Sequence, residues 1–216
     1  GGAAVALAES KSSRTRRRIL DAAEVEFAAH GFDGVSMRQI ADGSAQALGV
    51  VTYHFTSKEA LFEEVVVRRA QEINSLRHAA LAALDDPTLE KVIDAFLGPF
   101  LDRMKNGGEG WTAYAQLLAQ ISHQARWSGL LSRLFGETVR RFIRAMREAE
   151  KGLSLEDAQH GYVHLVAVMV GMFASTRLID RLSPTGVPDS LARQYEVSIT
   201  FVAHGIRGLK QVSEAA

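Results

Sequence analysis

Apolar residues recur along most of this chain at the spacing of one face of an α-helix. Near the N-terminus, Ile19, Ala23 and Phe27 stand at i, i+4 and i+8. No stretch alternates apolar and polar residues strongly enough to predict a β-strand. The pattern therefore predicts an all-α protein of about nine helices, with approximate bounds at residues 13–29, 36 onwards, 47–53, 58–83, 88–105, 111–123, 128–150, 154–182 and 189–210.

Several of these predicted helices begin with a recognisable capping sequence. Ser36 is followed three residues later by Gln39, and Thr56 by Glu59, which are two capping boxes. Ser57 is an alternative cap for the start that Thr56 marks. Ser154 stands three residues before Asp157 and predicts the start of the eighth helix, with Leu153 and Ala158 as its hydrophobic staple.

Residues 36–55 fit two short helices joined by a tight turn. They follow a basic helix and end in an aromatic cluster that contains Tyr53 and Phe55. This arrangement is typical of a helix-turn-helix motif, so double-stranded DNA is the first partner to consider. The rest of the chain is much longer than a DNA-reading domain requires, which predicts a second role for it.

Charge and composition refine this picture. The formal net charge is zero, but five basic residues and no acidic residue lie between Lys11 and Arg18. The chain has no cysteine, which excludes disulfides and suits a reducing, cytoplasmic location. The apolar run Tyr162–Ala174 is too short to span a bilayer. Residues 1–11 lack the basic start of a signal peptide and predict a disordered arm.

Between Thr15 and Phe62 the landmarks Ile-Leu-x-Ala-Ala, Gly-Phe and Tyr-His-Phe-Thr-Ser-Lys occur in order and without a gap. With these landmarks the N-terminal third resembles the TetR family of bacterial transcriptional regulators. The resemblance implies a helix-turn-helix DNA-binding domain at 12–58 and a C-terminal effector-binding and dimerisation domain at 59–216. Where the family usually has Ala-Gly-Val and then a capping residue, this chain has Ser44, Ala45, Gln46 and Ala47.

The resemblance also implies which residues contact DNA. A recognition helix presents its first turns to base edges in the major groove. Gln46 is the side chain there that can pair bidentately with adenine, and helix starts favour phosphate. The predicted DNA-binding residues are Arg16, Arg17, Arg18, Ser36, Arg38, Gln46, Ala47, Leu48, Gly49, Val50, Thr52, Tyr53, His54 and Lys58.

The C-terminal part supplies aromatic residues and methionines that suit either an ordinary core or an apolar ligand pocket. Because family members commonly bind small inducers there, the resemblance favours an apolar or amphipathic effector. Tyr114, Gln120, His123 and Arg126 are the candidate polar anchors. The candidate lining residues are Phe96, Phe100, Met104, Trp111, Tyr114, Leu118, Ile121, Trp127, Phe142, Met146, Met169 and Phe173.

The eighth and ninth helices are too apolar for one buried face each, and the family dimerises through such helices. A homodimer would place two recognition helices on a near-palindromic operator. Four glycines, at 161, 171, 205 and 208, are expected to mark close helix contacts. The predicted interface consists of Tyr162, Leu165, Val166, Leu191, Tyr195, Ile199, Val202 and Ile206, with Ile179 as a further candidate.

Other functions have weaker support. His160 and His164 are four residues apart, a spacing that can bind a metal, but they lack the glutamate of a His-Glu-x-x-His site. No catalytic triad or phosphate-binding glycine loop stands out, so we expect no enzymatic activity, metal or cofactor. The weakly polar recognition surface keeps open a second hypothesis: a constitutive helix-turn-helix protein, or a protein-interaction module, without an effector.

Overall fold

The computed structural model describes residues 10–174 and 191–215, with side chains at 10–172 and 191–210. Within these ranges every regular element is an α-helix except for one 3-10 turn at Ala125–Trp127, which confirms the all-α prediction. The helices are α1 (Lys11–His30), α2 (Met37–Gly43), α3 (Leu48–His54), α4 (Lys58–Ala82), α5 (Leu89–Asn106), α6 (Glu109–Ser122), α7 (Ser128–Ala149), α8 (Leu155–Ala174) and α9 (Leu191–Ala215).

Several predictions fall wholly or partly outside the described residues. They include the arm at 1–11, of which residues 1–9 are not described, the end of the eighth helix near residue 182, the start of the ninth near residue 189, the interface candidate Ile179 and the side chain of Phe173. The described part of the arm consists of Ser10 and Lys11. The Ser10 side chain accepts a hydrogen bond from the Ser13 amide (3.0 Å) and caps α1, which starts at Lys11. The last helix ends five residues later than predicted.

The caps set the helix starts as the sequence predicts. Ser36 and Gln39 form both bonds of a capping box, with an amide-to-oxygen distance of 2.8 Å from Ser36 to the Gln39 side chain and 3.2 Å in return. Ser154 accepts from the Asp157 amide at 3.0 Å and precedes α8. At α4 the cap is Ser57 rather than Thr56, since the Ser57 hydroxyl accepts from the Ala60 amide at 3.0 Å.

The chain divides into two compact units between Arg68 and Arg69, inside α4. The first unit extends ten residues beyond the predicted end of the helix-turn-helix domain at residue 58. The reason is that the first three turns of α4 complete its core: Leu61, Phe62 and Val65 are fully buried.

Aromatic packing and an ion pair to a buried glutamate hold the first unit together. The Phe27 and Phe62 rings meet edge to face at 5.0 Å, and Phe32 packs on Phe62 in the same way at 5.2 Å. Glu24 of α1 is buried and accepts from Arg68 of α4 at 2.8 Å. These two contacts, Phe27 with Phe62 and Glu24 with Arg68, join α1 to the beginning of α4 within the first unit.

The second unit contains the remainder of α4 and helices α5 to α9. Its core is aromatic, with Phe96 edge-to-face on both Phe142 (5.2 Å) and Tyr162 (5.4 Å). The glycine at 161 allows α8 to approach α9 closely, because a Cβ there would lie 2.7 Å from Ile206 Cγ1. No described helix has the length and apolar character needed to cross a membrane.

Candidate functional site

The turn between α2 and α3 closes α2 with paired backbone hydrogen bonds. The Gln46 amide donates to the Ala41 carbonyl (3.0 Å) and the Ala45 amide to the Asp42 carbonyl (3.1 Å), which is a Schellman motif. Ala45 takes the left-handed position of that motif, with φ 53°. The backbone at this turn thus requires the conformation that glycine adopts most readily.

Helix α3 is anchored on one side and exposed on the other. Val51 and Phe55 are buried in the first unit. Ala47, at the N-cap, makes no side-chain capping bond, and Leu48, Gly49 and Thr52 are exposed. Val50 and His54 are half-buried. Tyr53 is 82% exposed, so an aromatic side chain projects outward from the predicted recognition helix.

The polar groups of this face are partly engaged within the helix-turn-helix itself. Gln46 Nε2 donates to the Ser44 carbonyl over a long 3.4 Å, and the Thr52 hydroxyl donates to the Leu48 and Gly49 carbonyls at 3.1 and 3.2 Å. The Thr52 methyl group and the open space around Gly49 remain suited to close contact with a partner. Ser36 is used as the α2 cap, and its position at that helix start is exposed.

The predicted basic residues fall into two groups. Arg17, Arg18 and Arg38 are exposed. Arg16 instead pairs with Glu64, and its guanidinium carbon lies 4.9 Å from the centroid of the Phe55 ring.

Lys58 is mainly bonded to the protein itself. Its Nζ donates to the carbonyls of Phe32 and Val35, both at 2.9 Å, and lies 4.4 Å from the centroid of the Phe32 ring. It therefore ties the start of α4 to the loop before α2. An ammonium group has three donors, so a phosphate contact by Lys58 stays a prediction for the remaining one.

A cavity of about 240 Å³ lies within the second unit, among α4 to α8. Of the predicted ligand residues, Phe96, Leu118 and Met169 line it. None of the proposed polar anchors does; the polar lining comes from Arg77, Ser122 and Tyr162. The full lining is Arg77, Phe96, Leu118, Ser122, Leu131, Phe135, Val139, Tyr162, Val166, Met169 and Val170.

The other predicted ligand residues do not line this cavity. Phe100 stacks on Tyr114, and both pack near Trp111 in the aromatic core. Met104 is half-buried, and the Phe173 side chain lies outside the described residues. The remaining four are buried in the second unit because they face the packed side of their helices: Ile121, Trp127, Phe142 and Met146.

Half of the eight residues predicted for the dimer interface are buried within their own chain, and the interface itself stays a prediction. Tyr162, Leu165, Val202 and Ile206 are buried within their own chain, because α8 and α9 pack on each other and on the core. Val166 is half-buried and lines the cavity.

Three further predicted interface residues are half-buried, and the opposite faces carry exposed apolar side chains. Tyr195 donates a hydrogen bond to Asp94 of α5, and Leu191 and Ile199 are half-buried. Exposed instead are Val163 (62%) of α8 and Val197 (50%) and Phe201 (69%) of α9. Unlike the glycine at 161, those at 171, 205 and 208 face open space.

The histidine pair of α8 is exposed. His160 lies 3.9 Å from Glu156, and no group of three or more potential metal-ligating side chains occurs among the described residues.

Two family models match this chain in the order of its two units. The one described as "Bacterial regulatory proteins, tetR family" matches residues 19–65, which contain the helix-turn-helix. The one described as "Tetracyclin repressor-like, C-terminal domain" matches residues 94–205, more than half of the chain. The chain belongs to the TetR family. It is therefore a TetR-family transcriptional regulator, as the landmarks between Thr15 and Phe62 indicated.

Curated relatives of this TetR-family protein are themselves regulators. It is 28% identical over 187 residues to the HTH-type transcriptional repressor AcnR of Corynebacterium efficiens, covering 84% of this chain and 90% of that protein. Over 71 residues it is 42% identical to the HTH-type transcriptional regulatory protein RaaS of Mycobacterium tuberculosis, covering 33% of this chain and 32% of that one.

Solved structures share its fold. The fatty acid degradation regulator FadR from Bacillus halodurans superposes with a TM-score of 0.69 at 13% identity, over 92% of this chain and 99% of that one. The ketosteroid transcriptional regulator KstR2 of Mycobacterium tuberculosis gives 0.62 at 16% identity, over 91% and 96% of the two chains. At these identities the likeness establishes the fold alone.

Arg77 is the charged residue in the lining of this cavity, and the sequence did not single it out. It continues the apolar stripe of α4 formed by Val66, Ala70 and Ile73, at i, i+4, i+7 and i+11. A cation at a core position is the signal that could have identified it, since buried arginines are rare unless paired.

Proposed function

We propose that this protein is a dimeric transcriptional repressor that binds a near-palindromic operator and is released by a small apolar or amphipathic ligand. The observation that carries the proposal is the exposed face of α3. That helix is anchored by the buried Val51 and Phe55, while Leu48, Thr52 and the 82%-exposed Tyr53 point outward. An anchored short helix with an exposed face is what insertion into a major groove requires.

The two kinds of DNA contact come from different parts of the first unit. Gln46, Thr52 and the small residues Ala47 and Gly49 are the proposed base-reading surface. Because this surface offers few hydrogen-bonding groups, phosphate contacts supply most of the affinity and the protein's register on the duplex. The exposed Arg17, Arg18 and Arg38, the α2 start at Ser36, and Tyr53 and His54 are the proposed phosphate-binding residues.

The proposed dimer surface is the exposed apolar face of α8 and α9, defined by Val163, Val197 and Phe201. Large apolar side chains exposed together mark interaction sites in soluble proteins. A two-fold dimer through this face gives two recognition helices, whose half-sites on the operator are about 34–36 Å apart or a multiple of that.

The proposed effector site is the cavity in the second unit. Its apolar walls with few polar groups support an apolar or amphipathic ligand. Helix α4 belongs to both units and contributes Arg77 to the cavity. Release requires that the bound ligand favour one position of α4 and bound DNA another. A coupling free energy of about 1–3 kcal/mol between the two binding events suffices, and DNA then weakens ligand binding by the same factor as the ligand weakens DNA binding.

The decisive experiment is binding to the DNA upstream of the protein's own gene, at two salt concentrations, with and without a panel of small apolar and amphipathic compounds. Salt-dependent, sequence-selective binding that one compound reverses is the expected result. Binding that no compound reverses would support the constitutive alternative, and no selective binding would support the interaction module.

Variants localise the interface in the same assay. Tyr53→Ala is expected to weaken operator binding at least about tenfold, because the proposed contact of the Tyr53 side chain with the DNA phosphate backbone is lost. Val25→Ala is the matched control, since Val25 is an exposed apolar residue (54%) on α1 outside the proposed surface. Equal affinities for the two variants would contradict the proposed orientation of α3.

A further inference from the structure

Arg77 is a buried cation in the wall of the cavity. Its exposed fraction is 2%, its Nε donates to the Phe96 carbonyl at 2.9 Å, and an Nη donates to the Met169 sulfur at 2.9 Å. The guanidinium carbon lies 3.7 Å from the centroid of the Phe96 ring. A guanidinium has five N–H donors, and the described part of the chain provides it with no carboxylate.

Another arginine of α4, by contrast, has carboxylate partners. Arg68 of α4, in the first unit, donates to the buried Glu24 and to Asp21. Burying an arginine without an acid carries a desolvation cost that no carboxylate offsets. Desolvation lowers the pKa of Arg77 to about 10, so the side chain still carries its positive charge at neutral pH.

The rest of the cavity wall is apolar or neutral. Leu118, Leu131 and Val139 contribute hydrocarbon. The Ser122 hydroxyl is bonded to the Leu118 carbonyl, and burial raises the pKa of Tyr162 to about 12, so its hydroxyl stays protonated. The positive charge of Arg77 therefore faces a compact cavity lined by hydrocarbon. The neutral Tyr162 hydroxyl is the other group of the lining that is available to donate a hydrogen bond.

We propose that the effector is a small monocarboxylate with a compact apolar body, whose carboxylate pairs with Arg77 and whose body fills the cavity. This inference rests on the proposed function and specifies its ligand. A bidentate carboxylate matches the planar donors of a guanidinium. Scaling from benzene in a cavity of about 150 Å³, the 240 Å³ here admits about ten non-hydrogen atoms, as in a single-ring or medium-chain acid.

Other ligand classes fit this cavity less well. A neutral ligand would leave the buried cation without a counter-ion. A dianion, such as a phosphate monoester, would bring a second negative charge among Phe96, Leu118 and Val139 with no second cation in the lining. The arginines of α7 at 140, 141 and 144 are exposed and belong to a separate cleft of about 510 Å³.

The test is calorimetric titration of the full chain with octanoate and phenylacetate, each compared with its amide, at neutral pH and without DNA. The amides match the acids in size and lack the charge. At least one acid is expected to bind about ten- to a hundredfold more tightly than its amide. Arg77→Met is expected to abolish this preference, while Arg140→Met, an arginine of the separate cleft, retains it.

Arg77→Lys tests the geometry and provides a second variant if Arg77→Met does not fold, as judged by circular dichroism. It is expected to keep part of the preference, because the charge remains and the bidentate pairing is lost. Equal binding of acids and amides by the wild type, or a preference that survives in Arg77→Met or is unchanged in Arg77→Lys, would overturn the proposal.

The outcomes for the ligand class and for the proposed function are separable. Neutral compounds that release the operator, together with acids that do not bind, would refute the carboxylate and leave the repressor intact. Acids that bind through Arg77 without affecting DNA binding would support the site and refute ligand-induced release.

Discussion

Ala45 adopts the left-handed backbone conformation (φ 53°) at the end of α2, the position in a Schellman motif that glycine usually occupies. A side chain in this conformation is strained because Cβ approaches the following carbonyl. The strain lies directly before the proposed recognition helix. Relief of this backbone strain should stabilise the turn without changing any side-chain contact.

We expect Ala45→Gly to raise the free energy of unfolding by about 1 kcal/mol, since relief of the strain exceeds the added entropy of the unfolded chain. The measurement is the midpoint of urea unfolding. Ala29→Gly, at an exposed position of α1 with ordinary helical geometry, is the control and is expected to lower the midpoint. A lower midpoint for Ala45→Gly would contradict this account of the turn.

Lys58 is predicted to act on stability more than on DNA. Lys58→Met removes the donor shared by the Phe32 and Val35 carbonyls, and we expect a loss of about 1.5–3 kcal/mol in unfolding free energy, as for hydrogen bonds to charged groups. Urea unfolding measures it. The interpretation fails if the variant unfolds at the wild-type midpoint.

Arg38→Met is the matched control for Lys58 and a prediction about DNA. Arg38 is exposed on α2, so its replacement should change stability by less than about 0.5 kcal/mol. If Arg38 contacts a phosphate, the slope of log affinity against log salt should fall by about 1. An unchanged slope in operator titrations would remove Arg38 from the phosphate-binding residues.

At the scale of helices, the contact between α8 and α9 depends on the absence of a side chain at Gly161. Ile206 is buried and β-branched, so it has little freedom to make room for a Cβ at 2.7 Å. Gly161→Ala is expected to destabilise the protein by about 1 kcal/mol or more, despite the better helix propensity of alanine. Gly136→Ala on α7, where the nearest side-chain atom would be 3.5 Å away, is expected to be neutral or stabilising. Thermal unfolding of both variants tests the contrast.

An ion cluster joins α9 to α5 and to the end of α7. Arg207 donates to both carboxylate oxygens of Glu90 (2.6 and 3.0 Å) and to Glu150 (3.0 Å), and Lys210 donates to Glu150 at 2.5 Å. The hydrogen bond from Arg207 is the main reason that the pKa of Glu90 is lowered to about 2. Helix α9 is thereby fixed to its neighbours through charges as well as apolar contacts.

The lowered pKa of Glu90 sets the sign of a pH dependence. A carboxyl group whose pKa falls on folding stabilises the protein at pH values above its unfolded pKa, and the contribution disappears as pH falls from about 4.5 towards 2. The wild type should therefore exceed Glu90→Gln in urea midpoint at pH 7, and the difference should shrink by pH 3. Glu196→Gln, on the exposed face of α9, is the control; a Glu90 difference that does not vary with pH would contradict the prediction.

At the scale of the whole molecule, the exposed apolar face of α8 and α9 predicts self-association. Phe201→Asp places a charge where the proposed two-fold interface would bury an aromatic ring. We expect the wild type to be a dimer and this variant to be a monomer with much weaker operator binding, because only one half-site can then be held at a time. Analytical ultracentrifugation measures the oligomeric state of both proteins. Val25→Asp on α1 is the control and should remain dimeric. A dimeric Phe201→Asp would place the interface elsewhere.

Local features of the sequence were sufficient to predict the helices and the buried stripe of α1. Helix periodicity and caps are local properties, so Ser36 with Gln39 and Ser154 marked helix starts that the structure has. The stripe of Ile19, Ala23 and Phe27 is buried as its spacing implies. A helix start depends on residues within one turn, and one apolar stripe can face one core only.

Which apolar face of a helix is buried depends on packing between helices that are distant in sequence. Helices α8 and α9 are apolar on more than one side, and the choice between burying Val202 and exposing Phe201 depends on neighbours far along the chain. The same holds for Lys58, whose partners are more than twenty residues away, and for Arg77, whose cavity is formed by five helices. Periodicity describes one helix at a time, whereas a binding surface and a cavity arise from what the other helices leave uncovered.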